Sequence, residues 1–372
     1  MKNKKIIFFH PYSIIGGADL SISKLINCIP NDYDIDFITL SKKPKIKLYT
    51  KKKINILKIK NTRALFSIFK LRKYLKKEIN AYKKIIFLSN QNYANIISIL
   101  LCFGIKKIKQ ISFERNHISE LEISKNLYLK IKNQIIKFLI KKLYKFSHLV
   151  ISNSIELSRD LSKFASCKVR TLENFYDFNE LKKKSRLKLE KKIKFSKNII
   201  LNVGRLTDQK NQILILKSFK FLLNKKPNMK LLIIGEGYKY SYLIDYIQKQ
   251  KLQKNVQILK NIKNTLPYYK LSKLFLFSSE YEGFPNVLIE SIFLKLPVIS
   301  TDFKSGLKEI LLNGKGGVIL KKKEPNYISG QINYYLSNMK KLKSKMLNAK
   351  KNISKYNISV GRKKFLKILD TI

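Results

Sequence analysis

Two cations lie five residues apart in Gly204-Arg205-Leu206-Thr207-Asp208-Gln209-Lys210, between an apolar run ending at Val203 and an amphipathic pattern from Gln212 to Leu223. Arg205 offers a planar bidentate fork and Lys210 a compact point charge. Such a pair suits a diphosphate and the negative charge that builds on it as it leaves. Loop cations in water would look the same in isolation. A second turn, Ile234-Gly235-Glu236-Gly237, follows the next apolar run. Glycines there serve either a tight turn or the close approach of backbone to a ligand.

The segment Ser278-Ser-Glu-Tyr-Glu282-Gly-Phe-Pro-Asn-Val-Leu-Ile-Glu290-Ser291 is the most informative. Pro285 suits the first position of a helix, which would leave the N–H groups of Asn286, Val287 and Leu288 free to bind an anion. Glu282 lies before that helix and Glu290 inside it, so two carboxylates can accept from hydroxyls on different parts of one sugar-bearing ligand. An acidic pair favoured by the helix dipole is the bland alternative.

Other titratable residues offer less. His10 ends the first strand and is a candidate to face the ligand, whereas His148 begins a strand and reads as structural. Asp34-Ile-Asp36 has the spacing of a metal-binding pair but stands at the entry of a strand, away from the carboxyl ends where ligands bind, and reads as structural. With no His/Cys/Asp cluster elsewhere, no metal site and no cofactor are expected, and the protein's own cations would neutralise a diphosphate. Cys28, Cys102 and Cys167 lack metal-ligand or disulfide spacing and read as reduced thiols in the cytosol.

These residues require strands ending in tight turns. Short β-branched or aromatic runs alternate with helical patterns along the 372 residues, the mark of βαβ units. Strands are expected at Lys5–Phe9, Asp36–Leu40, Ile54–Ile59, Lys84–Leu88, Ile108–Phe113 and His148–Ile151. A second set is expected at Asn198–Val203, Lys230–Ile234, Val256–Leu259, Leu274–Phe277 and Pro297–Ser300. The fold class is α/β, with two doubly wound Rossmann-like domains facing across a cleft. Residues 1–177 form the acceptor-side domain, 178–197 a Lys-rich linker, 198–350 the donor-binding domain, and 351–372 a helical region packing back on the first domain.

The combination Gly204-Arg205…Lys210, Gly235-Glu236-Gly237, the Glu282 to Glu290 segment and Pro297-Val-Ile-Ser-Thr-Asp302 resembles the retaining glycosyltransferases of family 4, which have the GT-B fold. The resemblance is strong from about Asn198 to Val318. In the N-terminal half it rests on Ile14-Ile-Gly-Gly-Ala-Asp19. It implies that Arg205 and Lys210 hold the donor diphosphate, that Glu290 binds the ribose, and that Glu282 faces the transferred sugar. Gly204, Gly235 and Gly237, with the helix start at Asn286, Val287 and Leu288, would line the donor. Gly16 and Gly17 would let the first helix approach the donor phosphate, and His117 matches a polar position near the sugar. Lys295 stands where the family has a Gly, at a cost of up to about 1 kcal/mol if the backbone there is left-handed, and Leu307 replaces a Pro.

The net charge of +54, from 78 Lys+Arg against 24 Asp+Glu, seeks polyanions. Basic amphipathic patterns run from Ser124 to Phe146, with Leu127, Ile131, Ile135, Phe138, Leu139, Leu143 and Phe146, and from Arg63 to Lys77, with Leu65, Phe66, Phe69, Leu71 and Leu75. They fit either the core or an anionic membrane surface. No run reaches the roughly 20 apolar residues of a spanning helix, and no export signal is seen, so the expected place is the cytoplasmic face of the cell membrane. The expected reaction moves a hexose or N-acetylhexosamine from a nucleotide sugar, with uridine the family's habit, to a lipid-linked or surface-glycan acceptor. A GT-B epimerase or phosphorylase would use the same parts. A nucleic-acid-binding protein is favoured only by charge, because no recognition motif accompanies it and no specific nucleic-acid partner is expected.

Overall fold

A computed structural model describes residues 2–12, 17–44, 46, 50–59, 64–122 and 126–372. The chain divides into two compact units, Met1–Asn174 with Ser359–Ile372, and Phe175–Ile358.

In the first unit the strands are β1 (Lys2–Phe9), β2 (Tyr33–Thr39), β3 (Asn55–Lys58), β4 (Tyr82–Asn90), β5 (Ile108–Glu114), β6 (Leu149–Ser152) and β7 (Val169–Thr171). They form one sheet in the order β3-β2-β1-β4-β5-β6-β7. All pairings are parallel, with Ile6 of β1 in register with Ile35 and Ile86. The strand order reverses between β1 and β4, which makes their carboxyl ends the natural place for a ligand. Helices α1 (Gly17–Cys28), α2 (Ile68–Ala81), α3 (Asn92–Cys102), α4 (Leu127–Leu143) and α5 (Ile155–Ala165) follow β1, β3, β4, β5 and β6 in turn. Gly17 opens α1, whereas Gly16, Arg63 and Ser124 lie outside the described residues.

The second unit repeats the plan with β8 (Ile199–Val203), β9 (Lys230–Ile234), β10 (Val256–Leu259), β11 (Ser272–Phe277), β12 (Val298–Thr301) and β13 (Val318–Leu320), in the order β10-β9-β8-β11-β12-β13. Strand β8 is apolar except for Asn202, whose buried amide donates to the Leu276 carbonyl (2.8 Å). Ile199, Leu201 and Val203 enter one buried cluster and Ile200 the cluster on the opposite face, so no position can be polar for solvent's sake. This is the GT-B architecture, two parallel doubly wound sheets.

The stretch expected as a linker, 178–197, is part of the second unit. Asp177 caps a helix, Phe178–Lys184, by accepting from the N–H groups of Asn179 and Glu180. Phe178, Leu181, Leu189 and Ile193 pack against the core, and the lysines around them point to water. Asp34 and Asp36 are occupied structurally. Tyr82 donates to Asp34, and Lys5 is paired with both Asp36 and Glu78. The three cysteines are free and buried.

The apolar pattern expected along α4 divides into two faces. Ile136 and Ile140 are buried, and Leu139 and Leu143 pack beside them. Leu127, Ile131, Ile135 and Phe138 look outward, each more than half exposed. Among the described residues no helix is long and apolar enough to cross a membrane.

Lys295 confirms a local strain. It closes the helix Asn286–Phe293 at φ +61°, donating to the carbonyl of Ile292 (3.1 Å), while Leu296 donates to that of Ser291 (2.8 Å). That is a Schellman ending with a side chain where glycine is favoured. Leu307 is fully buried and opens the short helix Leu307–Ile310, which accounts for an apolar residue there. Lys295→Gly is expected to stabilise the protein by about 0.5–1 kcal/mol, read as a higher urea midpoint with an unchanged m value. An unchanged or lowered midpoint would contradict the strain.

Candidate functional site

The carboxyl ends of β8, β9 and β11 gather most of the expected donor residues within the second unit. Two strand-to-helix turns touch backbone to backbone. Gly204 donates to the carbonyl of Ile234 (3.0 Å), and Leu206 donates to that of Glu236 (2.7 Å). A Cβ at Gly235 would lie 1.9 Å from the Gly204 oxygen, and one at Gly237 would lie 2.2 Å from the Leu206 oxygen. These glycines are therefore required by the contact between turns, whatever else approaches them. Glu236 accepts from the N–H of Asn261 (2.9 Å), which ties the turn after β10 to the same edge.

Lys210 is the last residue of a short 3-10 turn, Asp208–Lys210, ended by Asn211 at φ +47°. Its stem lies against Gly204 and its ammonium over the Phe277 ring at 5.4 Å. The ammonium is paired with Glu282, which also accepts from the Ser279 hydroxyl (2.8 Å). The sequence suggested separate partners for these two residues, diphosphate and sugar. In the structure they neutralise each other in a largely buried pair, and the ammonium has further N–H donors to offer a ligand. Ser278 donates to the Lys210 carbonyl (2.7 Å), holding the β11 turn to the β8 turn.

Arg205 is exposed, its guanidinium donating to Gln209 (3.1 Å), and Gln209 donates in turn to the Tyr281 carbonyl (3.0 Å). This leaves the fork near the edge of the site with most of its donors outward. Glu290 is half-buried and accepts from the Tyr269 hydroxyl (3.0 Å) through one oxygen. Burial pushes the Tyr269 hydroxyl well above its ordinary pKa, and Glu290 adds to the shift. Gln209, Tyr269 and Ser279 were not foreseen. Each acts on a site residue rather than carrying a charge of its own, so no motif marks it.

The helix start differs in detail from expectation. Pro285 caps the helix with extended backbone, and Asn286 is its first residue. Leu288 donates to the Pro285 carbonyl (3.1 Å), so its N–H is not open to an anion, because the first turn tightens into an i to i+3 bond. The Asn286 side chain accepts from Tyr176 (2.5 Å), and Val287 packs against the core.

In the first unit His117 is 5% exposed, with Nδ1 accepting from the Ser119 N–H (3.2 Å) and Nε2 facing Asp160 (3.1 Å). Burial would raise Asp160, but hydrogen bonds from His117 and Arg159 outweigh it and hold the carboxyl below its usual range. Both ring nitrogens are engaged, so the structure gives His117 a positioning role for the loop after β5. His10 is also buried, its Nε2 3.4 Å from Asp19. Among the described residues no group of three or more His, Cys, Asp or Glu comes together as a metal site would require.

Residues 183–353 match the family model described as glycosyl transferases group 1. The chain is 37% identical over 258 residues to an uncharacterized glycosyltransferase of Methanocaldococcus jannaschii, a match covering 66% of this chain and 62% of the relative. It is 31% identical over 237 residues to the N-acetylgalactosamine-N,N'-diacetylbacillosaminyl-diphospho-undecaprenol 4-alpha-N-acetylgalactosaminyltransferase of Campylobacter jejuni, covering 63% of this chain. The chain thus spans 62% and 61% of the length of these two relatives. The solved structure of Anabaena HepE in complex with UDP superposes with a TM-score of 0.77 at 16% identity, covering 99% of this chain and 100% of that one. That likeness concerns the fold.

The buried pair generates a prediction. Glu282→Gln strands the Lys210 ammonium and should cost about 3 kcal/mol of stability, whereas the double change Lys210→Met, Glu282→Leu should recover most of it. Urea unfolding of Lys210→Met, Glu282→Leu and the double variant measures the coupling. Additive losses would mean the two side chains do not depend on each other.

Proposed function

We propose that this protein is a retaining glycosyltransferase that moves a hexose or N-acetylhexosamine from a UDP-sugar to a lipid-linked or surface-glycan acceptor. The observation that carries the reading is the convergence of Arg205, the Lys210–Glu282 pair and the Gly204, Gly235 and Gly237 backbone at the carboxyl ends of β8, β9 and β11. It lies within the segment similar to glycosyl transferases group 1. UDP as nucleotide is supported by the complex of the Anabaena structural neighbour. A lipid-linked acceptor and an alpha linkage are supported by the name of the Campylobacter relative.

In this reading the bond from the anomeric carbon to the diphosphate breaks, the acceptor hydroxyl oxygen takes its place, and the hydroxyl proton passes to the departing diphosphate. Arg205 and Lys210 stabilise the charge gathered on the diphosphate oxygens, in the role a divalent metal would otherwise fill. Glu282, already turned toward Lys210, faces the sugar hydroxyls, and Glu290 receives the ribose. Arg205→Ala is expected to lower kcat about 100-fold with the fold retained, and turnover of UDP-sugar is expected to survive EDTA. A near-normal kcat would remove Arg205 from the chemistry. Loss in EDTA restored by manganese would put a metal in its place.

The same proposal places the protein at the inner, anionic face of the cell membrane, held by the helical layer of the first unit. Phe66, Phe69, Phe103, Leu127, Ile131, Ile135, Phe138 and Phe146 are each more than half exposed on that layer. Lysines flank them on α2 and α4, while Lys137 is drawn to Glu122 (2.6 Å) and contributes less. Apolar insertion and attraction to headgroups act together on such a face. Changing Lys141, Lys142 and Lys145 to Gln should weaken cosedimentation with phosphatidylglycerol vesicles by up to about a hundredfold at low salt, each lysine contributing about 1 kcal/mol. Equal sedimentation of variant and wild type would assign these helices to the protein interior or to another partner.

A further inference from the structure

A cation that the donor-side chemistry does not use stands at the carboxyl end of the first unit's sheet. Arg115 follows β5 and is half-buried. Its Nε donates to Oδ1 of Asn90 (2.6 Å), and its Nη1 to the Ser21 hydroxyl (2.5 Å) and to Oδ1 of Asn174 (3.3 Å). All three acceptors are neutral, and among the described residues no carboxylate forms an ion pair with the guanidinium. The adjacent Glu114 turns away to accept from Tyr144 (2.8 Å), and burial pushes its carboxyl up to about 7. Burial also brings Arg115 down to about 10. The Glu114 carboxyl acts on Arg115 only through space and partly opposes this, so among the described residues the cation has no directly bonded counter-charge.

Among the described residues, three buried polar atoms around the same edge have no hydrogen-bond partner: Nδ1 of His10, Nδ2 of Asn90 and Oδ1 of Asn153. Their residues are only 3%, 4% and 4% exposed, respectively. They come from the ends of β1, β4 and β6, and the Asn153 amide also donates to the Arg115 carbonyl (3.1 Å). Unpaired buried polar atoms are costly, and here they converge where an open parallel sheet receives its ligand.

We propose that Arg115, with His10 and Asn90 beside it, forms a subsite for a phosphate or diphosphate group, the group through which a lipid-linked acceptor is joined to its lipid. The assignment of that source rests on the acceptor class proposed above. The guanidinium fork meets phosphate oxygens with charge-assisted hydrogen bonds, and the unpaired Asn90 amide adds a donor beside it.

Calorimetric titration of the full chain with farnesyl diphosphate and with inorganic pyrophosphate, each with and without saturating UDP, tests this. Farnesyl diphosphate is expected to bind in the presence of UDP. Asn90→Asp, which lays a carboxylate on the guanidinium, should weaken that binding about tenfold or more while raising the thermal midpoint. UDP affinity should not change. Arg115→Gln should abolish the binding and Arg115→Lys retain part of it. If Arg115→Gln fails to fold, Asn90→Asp still decides. Equal affinity for pyrophosphate supports the phosphate subsite and removes the lipid-linked source. Affinity for farnesyl diphosphate unaltered in Asn90→Asp, or wholly displaced by UDP, overturns the proposal. Arg115-dependent binding in a protein that ignores UDP would keep the subsite and discard the glycosyltransferase reading.

Discussion

What the second unit presents to a ligand depends on a place where no side chain fits. The turns after β8 and β9 meet with the Gly204 carbonyl 1.9 Å from where a Gly235 side chain would begin. Because backbone meets backbone, Arg205 and Lys210 are held by hydrogen bonds between rigid strands instead of by a free loop. The Leu206 side chain, fully buried, then anchors the turn in the core. A methyl group at this point would separate the turns and with them the cation and the carboxylate that pair across β8 and β11.

Much of this frame was legible in the sequence. A run such as Lys230–Ile234 reads as a strand buried on both faces, since it is short, apolar after its first residue and bounded by turn residues, whereas Val256–Leu259 lies at the sheet edge with Gln257 and Ile258 only partly buried. The strands β7 and β13 escaped because three residues carry too little pattern to separate from a loop. Helix Phe178–Lys184 escaped for a different reason. Its two core contacts, Phe178 and Leu181, are followed at once by Lys182, Lys183 and Lys184, and two apolar residues before a run of lysines are too few to show a helical phase.

The site was legible in its residue types and much less in its partnerships. Lys210 and Glu282 are 72 residues apart, and nothing local predicts that they meet. Arg115 carried no signal at all, since a lone arginine after a strand looks like the many surface cations of this chain. Only the neutral character of Asn90, Ser21 and Asn174 around it distinguishes it, and that is a property of the fold. Likewise α4 shows one amphipathic pattern in sequence but two apolar faces in space, because a helix with Ile136 and Ile140 inward has room for Ile131, Ile135 and Phe138 on the far side.

The first unit is built from two pieces of chain, with Ser359–Ile372 joining it after the whole second unit has been traversed. Phe365, Ile368 and Leu369 in that last segment are buried, so the surface they cover stands open until they arrive. During synthesis the second unit, continuous from Phe175 to Ile358, can close its core first, while the unit begun earlier waits for its final helix. The order of emergence from the ribosome is thus the reverse of the order of completion. A nascent chain of this design leaves the surface under Phe365, Ile368 and Leu369 uncovered until the whole second unit has been made.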